Sequence, residues 1–118
     1  MSLSDPIALT YDGGTVNLAR INQDNYGAEY YAESGTSRFT LNVKHTIPAK
    51  GKAGESHLVR LDVEHYDGSG LLLRVASAWT VIRTDSGIQD QESSEDAAEA
   101  LVALLTAANI TKVVGRQS

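Results

Sequence analysis

Cysteine is absent from the 118 residues. Disulfide stapling and thiolate metal sites are thereby excluded, and a reducing cytoplasm suits the chain. Also missing is any apolar run near the roughly 20 residues that span a bilayer, so no membrane partner is expected. The start, Met1-Ser2-Leu3-Ser4-Asp5-Pro6, lacks the basic end and apolar stretch of a signal peptide. Asn109-Ile110-Thr111 matches a glycosylation sequon, but a chain without that leader is not expected to meet the modifying enzymes. No internal repeat or low-complexity segment stands out.

The chemistry of enzymes is equally scarce. There is no Gly-x-Ser-x-Gly elbow and no ordered nucleophile triad. Asp67-Gly68-Ser69-Gly70 leads into a strand pattern rather than a helix, which makes it a poor phosphate loop. His45, His57 and His65 fall in strand patterns without the close pairing of a metal's ligands, so no metal or cofactor is expected. No catalytic function is expected.

What remains is an ordinary globular composition, 42% hydrophobic and 21% charged, at a length that fits one domain over 1–118. The net charge of −5 argues at first against nucleic acid. Its distribution softens that argument. Residues 85–118 carry six acids against Lys112 and Arg116, whereas residues 38–60 carry Arg38, Lys44, Lys50, Lys52 and Arg60 against Glu55 alone. Local potential attracts phosphate as much as total charge does, so a basic middle and an acidic tail on opposite sides of the fold are compatible with RNA.

The first two thirds read as strands. Ile7–Tyr11 and Thr15–Ile21 flank Asp12-Gly13-Gly14, a tight-hairpin signal. Asn22-Gln23-Asp24-Asn25 reads as a turn, followed by the tyrosine-rich Gly27–Glu33 and a stop at Ser34-Gly35. Over Ser37–Thr46, Phe39, Leu41, Val43 and His45 alternate with Arg38, Thr40, Asn42 and Lys44, the period of two that sends side chains to opposite faces. Pro48, Gly51 and Gly54 mark a mobile basic loop. His57–Tyr66 alternates again, with Val59, Leu61 and Val63 opposite Arg60, Asp62 and Glu64. Leu71–Arg83 is apolar on both faces over much of its length, which predicts a central or interfacial strand.

The period then changes. After a polar connection at Asp85–Asp90, Ser93 or Ser94 can cap a helix with acids in its first turn. Ala97, Leu101, Leu104, Leu105 and Ala108 form a helical apolar stripe, Asn109 is expected to end it, and Ile110, Val113 and Val114 suggest a short second turn before Gly115. Strands followed by helix make an α+β layout.

Geometry makes such a monomer look incomplete. Four or five strands at about 4.8 Å spacing form a sheet about 20–24 Å wide. A helix of about 14 residues is about 21 Å long but only about 10–12 Å across, roughly half the cover that Phe39, Leu41, Val43, Val59, Leu61 and Val63 require. The remainder would cost about 25 cal/mol per Å² of bare apolar area. A second copy, laying its helix over this sheet about a two-fold axis, is the simplest remedy. The other face, with Arg38, Thr40, Asn42, Lys44 and Arg60, would stay open as a binding platform.

Several stretches resemble the coat proteins of single-stranded RNA bacteriophages, the leviviruses and their relatives. They are the hairpin, Leu18-Ala19-Arg20-Ile21-Asn22-Gln23-Asp24-Asn25-Tyr26-Gly27, Phe39-Thr40-Leu41-Asn42-Val43-Lys44-His45-Thr46, Val59-Arg60-Leu61-Asp62-Val63-Glu64, Ser77-Ala78-Trp79-Thr80-Val81, and the acidic, alanine-rich terminal helix. The resemblance runs in order through nearly the whole chain and lies in the sum rather than in one motif. It implies an N-terminal β-hairpin, an antiparallel five-stranded sheet and C-terminal helices that interlock in a homodimer, with Leu101, Leu104 and Leu105 at the dimer interface. It further implies dimers that build an icosahedral shell, the sheet facing packaged genomic RNA, in a virion assembled in the bacterial host cytoplasm. Binding of an RNA hairpin as translational repressor is a common property of such proteins.

Carried over strand by strand, the RNA-binding positions would be Arg38, Thr40, Asn42, Lys44, Arg60 and Trp79, and the inter-dimer loop would be Asp67, Gly68, Ser69 and Gly70. Trp79 can instead be core, as a lone tryptophan in an apolar strand often is. Tyr26, Tyr30 and Tyr31 are expected to pack under the hairpin or at a subunit contact rather than to stack bases. Asp62 and Glu64 share the face of Arg60 and oppose phosphate. The loop is short and without cysteine cannot form disulfide-linked rings. The alternative from another class is a dimeric nucleic-acid-binding regulator that forms no shell; a third reading is a small α+β enzyme.

Overall fold

The computed structural model describes residues 3–48, 54–84 and 91–117. Its elements in chain order are β1 (Ile7–Tyr11), β2 (Gly14–Asp24), β3 (Gly27–Ser34), β4 (Ser37–Thr46), β5 (Glu55–Tyr66), β6 (Leu72–Thr84), α1 (Gln91–Leu104) and α2 (Ala107–Val114). One structural unit comprises Met1–Ile47 with Ser56–Val81, and a second comprises Pro48–Glu55 with Ile82–Ser118. The expected mobile basic loop falls, over residues 49–53, outside the described residues, as does the polar connection Asp85–Asp90.

The sheet is an up-and-down meander in the order β1-β2-β3-β4-β5-β6, antiparallel through its first five strands. Its first turn needs positive φ at both central residues, and Asp12 (φ 49°) and Gly13 (φ 77°) supply it. Six strands share one order where a hairpin beside a five-stranded sheet is expected. The reason is the length of β2, which pairs with β1 through Gly14–Leu18 and with β3 through Ala19–Asp24. Residues 22–24, expected as a turn, therefore continue the strand. The reversal falls at Asn25 and Tyr26, where the Asp24 carboxylate accepts the Tyr26 N–H at 2.7 Å.

A register shift between Arg20 and Asn22 marks a bulge, which bends a strand and increases its twist. Past that bend the hairpin of β1 and β2 curls over the sheet. Tyr11 packs its ring edge-on to Phe39 of β4, with centroids 4.9 Å apart. Its hydroxyl lies 3.3 Å from His65 Nε2 on β5, hydrogen-bonded. Leu18, Tyr30, Phe39, Leu41 and Val63 are buried in the resulting core, with Ile7, Leu9, Tyr11 and Val16 of the hairpin packed against it.

This placement corrects one expectation. The apolar face carrying Phe39, Leu41 and Val63 is roofed in part by the chain's own hairpin, and no described residue of either helix is itself buried. The hairpin's apolar period is as short as β1 itself, so composition does not reveal that it folds back. Toward β6 the cover ends. Val59 is exposed, and Leu72, Leu73, Val75, Trp79 and Val81 are about half exposed or more. Nor is β6 central: it closes one end of the strand order, an edge.

The helices also differ from the sequence reading. α1 begins at Gln91, so Ser93 and Ser94 lie inside it, and the Ser94 hydroxyl donates to the Arg83 carbonyl at 2.8 Å. The stripe is broken after Leu104 rather than at Asn109. Thr106 caps α2, accepting the Asn109 N–H, while the Asn109 side chain donates to the Leu104 carbonyl at 2.7 Å. Asn109 therefore ends α1 from a position within α2. No single described helix is long and apolar enough to cross a membrane.

Candidate functional site

Residues directly opposite in an antiparallel ladder point to the same face, so the register assigns the sheet's polar face. On β4, Arg38, Thr40, Asn42 and Lys44 share it. Their partners on β5 are Glu64, Asp62, Arg60 and Leu58, and on β3 they are Glu33, Tyr31, Glu29 and Gly27. All six residues expected to contact RNA meet here. Thr40 and Asn42 occupy the middle, and Arg60 lies directly across from Asn42. The Arg60 guanidinium stands 5.1 Å from the centroid of the Trp79 ring, within reach of a cation–π contact. Trp79 is 60% exposed, so the reading of it as a core residue does not hold.

The charges are less one-sided than the sequence suggests. Arg38, Lys44 and Arg60 share the face with Glu29, Glu33, Asp62 and Glu64. Arg60 Nε donates to the Asp62 carboxylate at 3.0 Å, and the Ser77 hydroxyl donates to the same carboxylate at 2.5 Å. The Arg60 bond and then the Ser77 bond hold the Asp62 carboxyl below its ordinary range. Arg38 stands 3.7 Å from Glu33 and stacks on Tyr66, its guanidinium 4.3 Å from the ring centroid. Tyr66 in turn donates to Glu64 at 2.5 Å, which raises the phenol's pKa. Of the three cations, Lys44 alone makes no ion pair among the described residues.

A hollow of about 360 Å³ opens where β2, β3 and β4 lie together. Asn22, Glu29 and Asn42 form one row across the three strands, and Asp24, Gly27 and Lys44 form the next. Gly27 lies in its lining. A Cβ there would lie 2.0 Å from the Val43 carbonyl oxygen, so the close approach of β3 to β4 requires glycine, and the row lacks its middle side chain.

Sequence reasoning missed the β3 contribution. The alternation of Glu29, Tyr31 and Glu33 with Ala28, Tyr30 and Ala32 was legible as period two, but only the register says which set meets Asn42. Tyr30 does pack in the core, its hydroxyl accepting from Arg20 at 3.0 Å. Tyr31 instead belongs to the polar face and donates to Glu33 at 2.8 Å, and Tyr26 is exposed at the turn beside the hollow. Burial first, then the Glu33 bond, raises the Tyr31 pKa.

The loop residues form a self-closed turn. The Asp67 carboxylate accepts from the Ser69 N–H, the Ser69 hydroxyl and the Leu71 N–H, all within 2.9 Å, and these bonds lower its pKa. Gly68, Ser69 and Gly70 are exposed at its tip. Leu101 and Leu104 on α1, and Leu105 just after it, are exposed in the single chain. On the opposite sheet face, His45 and His57 pair across strands with Nδ1 atoms 2.9 Å apart. Among the described residues no three His, Asp or Glu side chains gather as a metal's ligand set.

A family model described as "Phage phiCb5, coat protein" matches residues 4–85. Solved structures agree in fold. A virus-like particle of Beihai levi-like virus 21 superposes with a TM-score of 0.76 at 15% identity, covering 99% of this chain and 98% of that one. A virus-like particle of bacteriophage ESE058 gives 0.61 at 15% identity over 98% of each chain. For a virus-like particle of bacteriophage AVE019 the values are 0.58 and 20%, over 96% and 94%. A search of curated proteins found no match.

Proposed function

The chain belongs to the phage phiCb5 coat protein family and is a structural coat protein, and from that premise we propose that it works as a homodimer that assembles into an icosahedral shell around single-stranded RNA. The observation that carries the dimer is the bare apolar surface of the second half. Leu72, Leu73, Val75 and Val81 on β6, and Leu101, Leu104 and Leu105 at the helices, are all exposed in one chain. Burying such surface returns about 25 cal/mol per Å², and interfaces of roughly 2,000 Å² or more are common in obligate homodimers. The β6 edge adds a row of backbone donors and acceptors. An antiparallel partner strand related by a two-fold axis satisfies them.

In this arrangement the helices interlock with those of the partner, and the exposed Asp67–Gly70 turns meet between dimers. The polar face looks inward. Its Thr40 and Asn42 hydrogen-bond bases or sugars, Trp79 stacks a base, and Lys44, Arg38 and Arg60 meet phosphate. Because acids share the face, base and sugar contacts outweigh bulk phosphate attraction. That balance suits an RNA hairpin with splayed-out bases, whose binding would repress translation in the host cytoplasm before the virion closes.

Negative-stain microscopy and sedimentation of the purified protein test the reading. Uniform hollow particles that yield nuclease-protected RNA, and that dissociate to dimers, are the expected result. A stably folded monomer in dilute solution, or a dimer that never forms particles, overturns it.

A further inference from the structure

The hollow between β2, β3 and β4 combines properties that a solvated sheet face does not need. Asn22, Glu29 and Asn42 stand in one cross-strand row at its floor, and Lys44 flanks it. None of these four side chains makes a hydrogen bond or ion pair among the described residues. Glu29 is half-buried, and its carboxylate stays open to a ligand in the hollow. At about 360 Å³ the hollow lies at the small end of ligand sites, which run from roughly 300 to 1,000 Å³. The exposed Tyr26 forms part of its wall.

We infer that this hollow is a subsite for one unpaired guanine base, an inference that rests on the polar face being the RNA-facing one. The choice of base follows from the donor set. A carboxylate accepts two hydrogen bonds side by side, and guanine alone presents two adjacent donors, N1–H and N2–H, on its Watson–Crick edge. Adenine and cytosine set a ring-nitrogen acceptor next to their amino group, and uracil flanks its single N3–H with two carbonyls. Each of these brings a lone pair against Glu29. The Asn42 or Asn22 amide donates to guanine O6, Tyr26 offers a stacking surface, and Lys44 receives the adjoining phosphate. Gly27 lets β3 approach β4 closely and places no side chain between Asp24 and Lys44 in the row beside Glu29.

Binding of four pentanucleotides, U-U-N-U-U with guanine, adenine, cytosine or uracil in the middle, is measured on the purified full-length protein by fluorescence anisotropy at one salt concentration. The guanine member is expected to bind about ten-fold or more tightly than the other three, the discrimination of a good bidentate pair. In Glu29→Gln the guanine member falls to the level of the others, which keep their affinities. Equal affinities in the wild type, or a guanine preference that survives Glu29→Gln, overturn the guanine subsite and leave the RNA-facing reading standing. No binding of any pentanucleotide overturns both.

Discussion

The two ends of the sheet carry similar side chains and treat them differently. At the hairpin end, Leu18, Tyr30 and Phe39 are sealed because β1 and β2 curl back over β4 and β5. At the β6 end, Leu72, Leu73, Val75 and Val81 have no such cover. A chain closes a core by folding back on itself only where a turn and a bulge allow the reversal. Past the Asp67 turn β6 runs for thirteen residues as an edge. The difference separates what stabilises one copy from what a second copy is proposed to stabilise.

The sharpest way to break that contrast is Leu104→Asp. It sets an unpaired charge into the proposed helix interface, so dimers and particles are expected to disappear altogether in sedimentation velocity and negative stain. A soluble, dimeric Leu104→Asp protein would contradict the interface. The opposite end is probed by Phe39→Ala, which empties the core under Tyr11. A loss of about 3–5 kcal/mol is expected in urea unfolding, and a loss below about 1 kcal/mol would mean that the hairpin does not seal this core.

A smaller effect is expected on the polar face. Arg38→Ala with Lys44→Ala lowers the RNA content of particles while dimers stay intact, and unchanged content removes both positions from the site. Because Arg38 is paired with Glu33 and Lys44 has no ion pair among the described residues, Lys44→Ala by itself should carry most of the change. It should reduce the salt slope of RNA binding by about one. The least change is expected at the Asp67 turn. Its carboxyl has a lowered folded-state pKa, so its contribution is present above the ordinary carboxylate range and lost as pH falls through the folded value. Acid below about pH 4 should loosen this turn, read as faster amide exchange at Ser69 and Leu71. Asp67→Asn should remove that pH dependence.

Much of the polar face was legible beforehand. The alternation in Ser37–Thr46 placed Arg38, Thr40, Asn42 and Lys44 together, and the alternation in His57–Tyr66 added Arg60. The acids of β3 were not assigned to it, because period two says that Glu29 and Glu33 share a face but not whose. Ser93, Ser94 and Asn109 misled for a related reason: a capping residue announces that a helix end is near without fixing which turn it serves.

Local chemistry in the sequence thus determined the strands, the hairpin turn at Asp12-Gly13, the change from strand to helix and the absence of thiol chemistry. These depend on φ preferences, side-chain period and composition, all carried by neighbouring residues. Only the tertiary structure decided that the hairpin roofs the core, that β6 is an edge with exposed apolar side chains, and that a hollow lies beside Glu29. Each depends on which distant strand lies opposite, a choice made by the packing of the whole sheet rather than by any one segment.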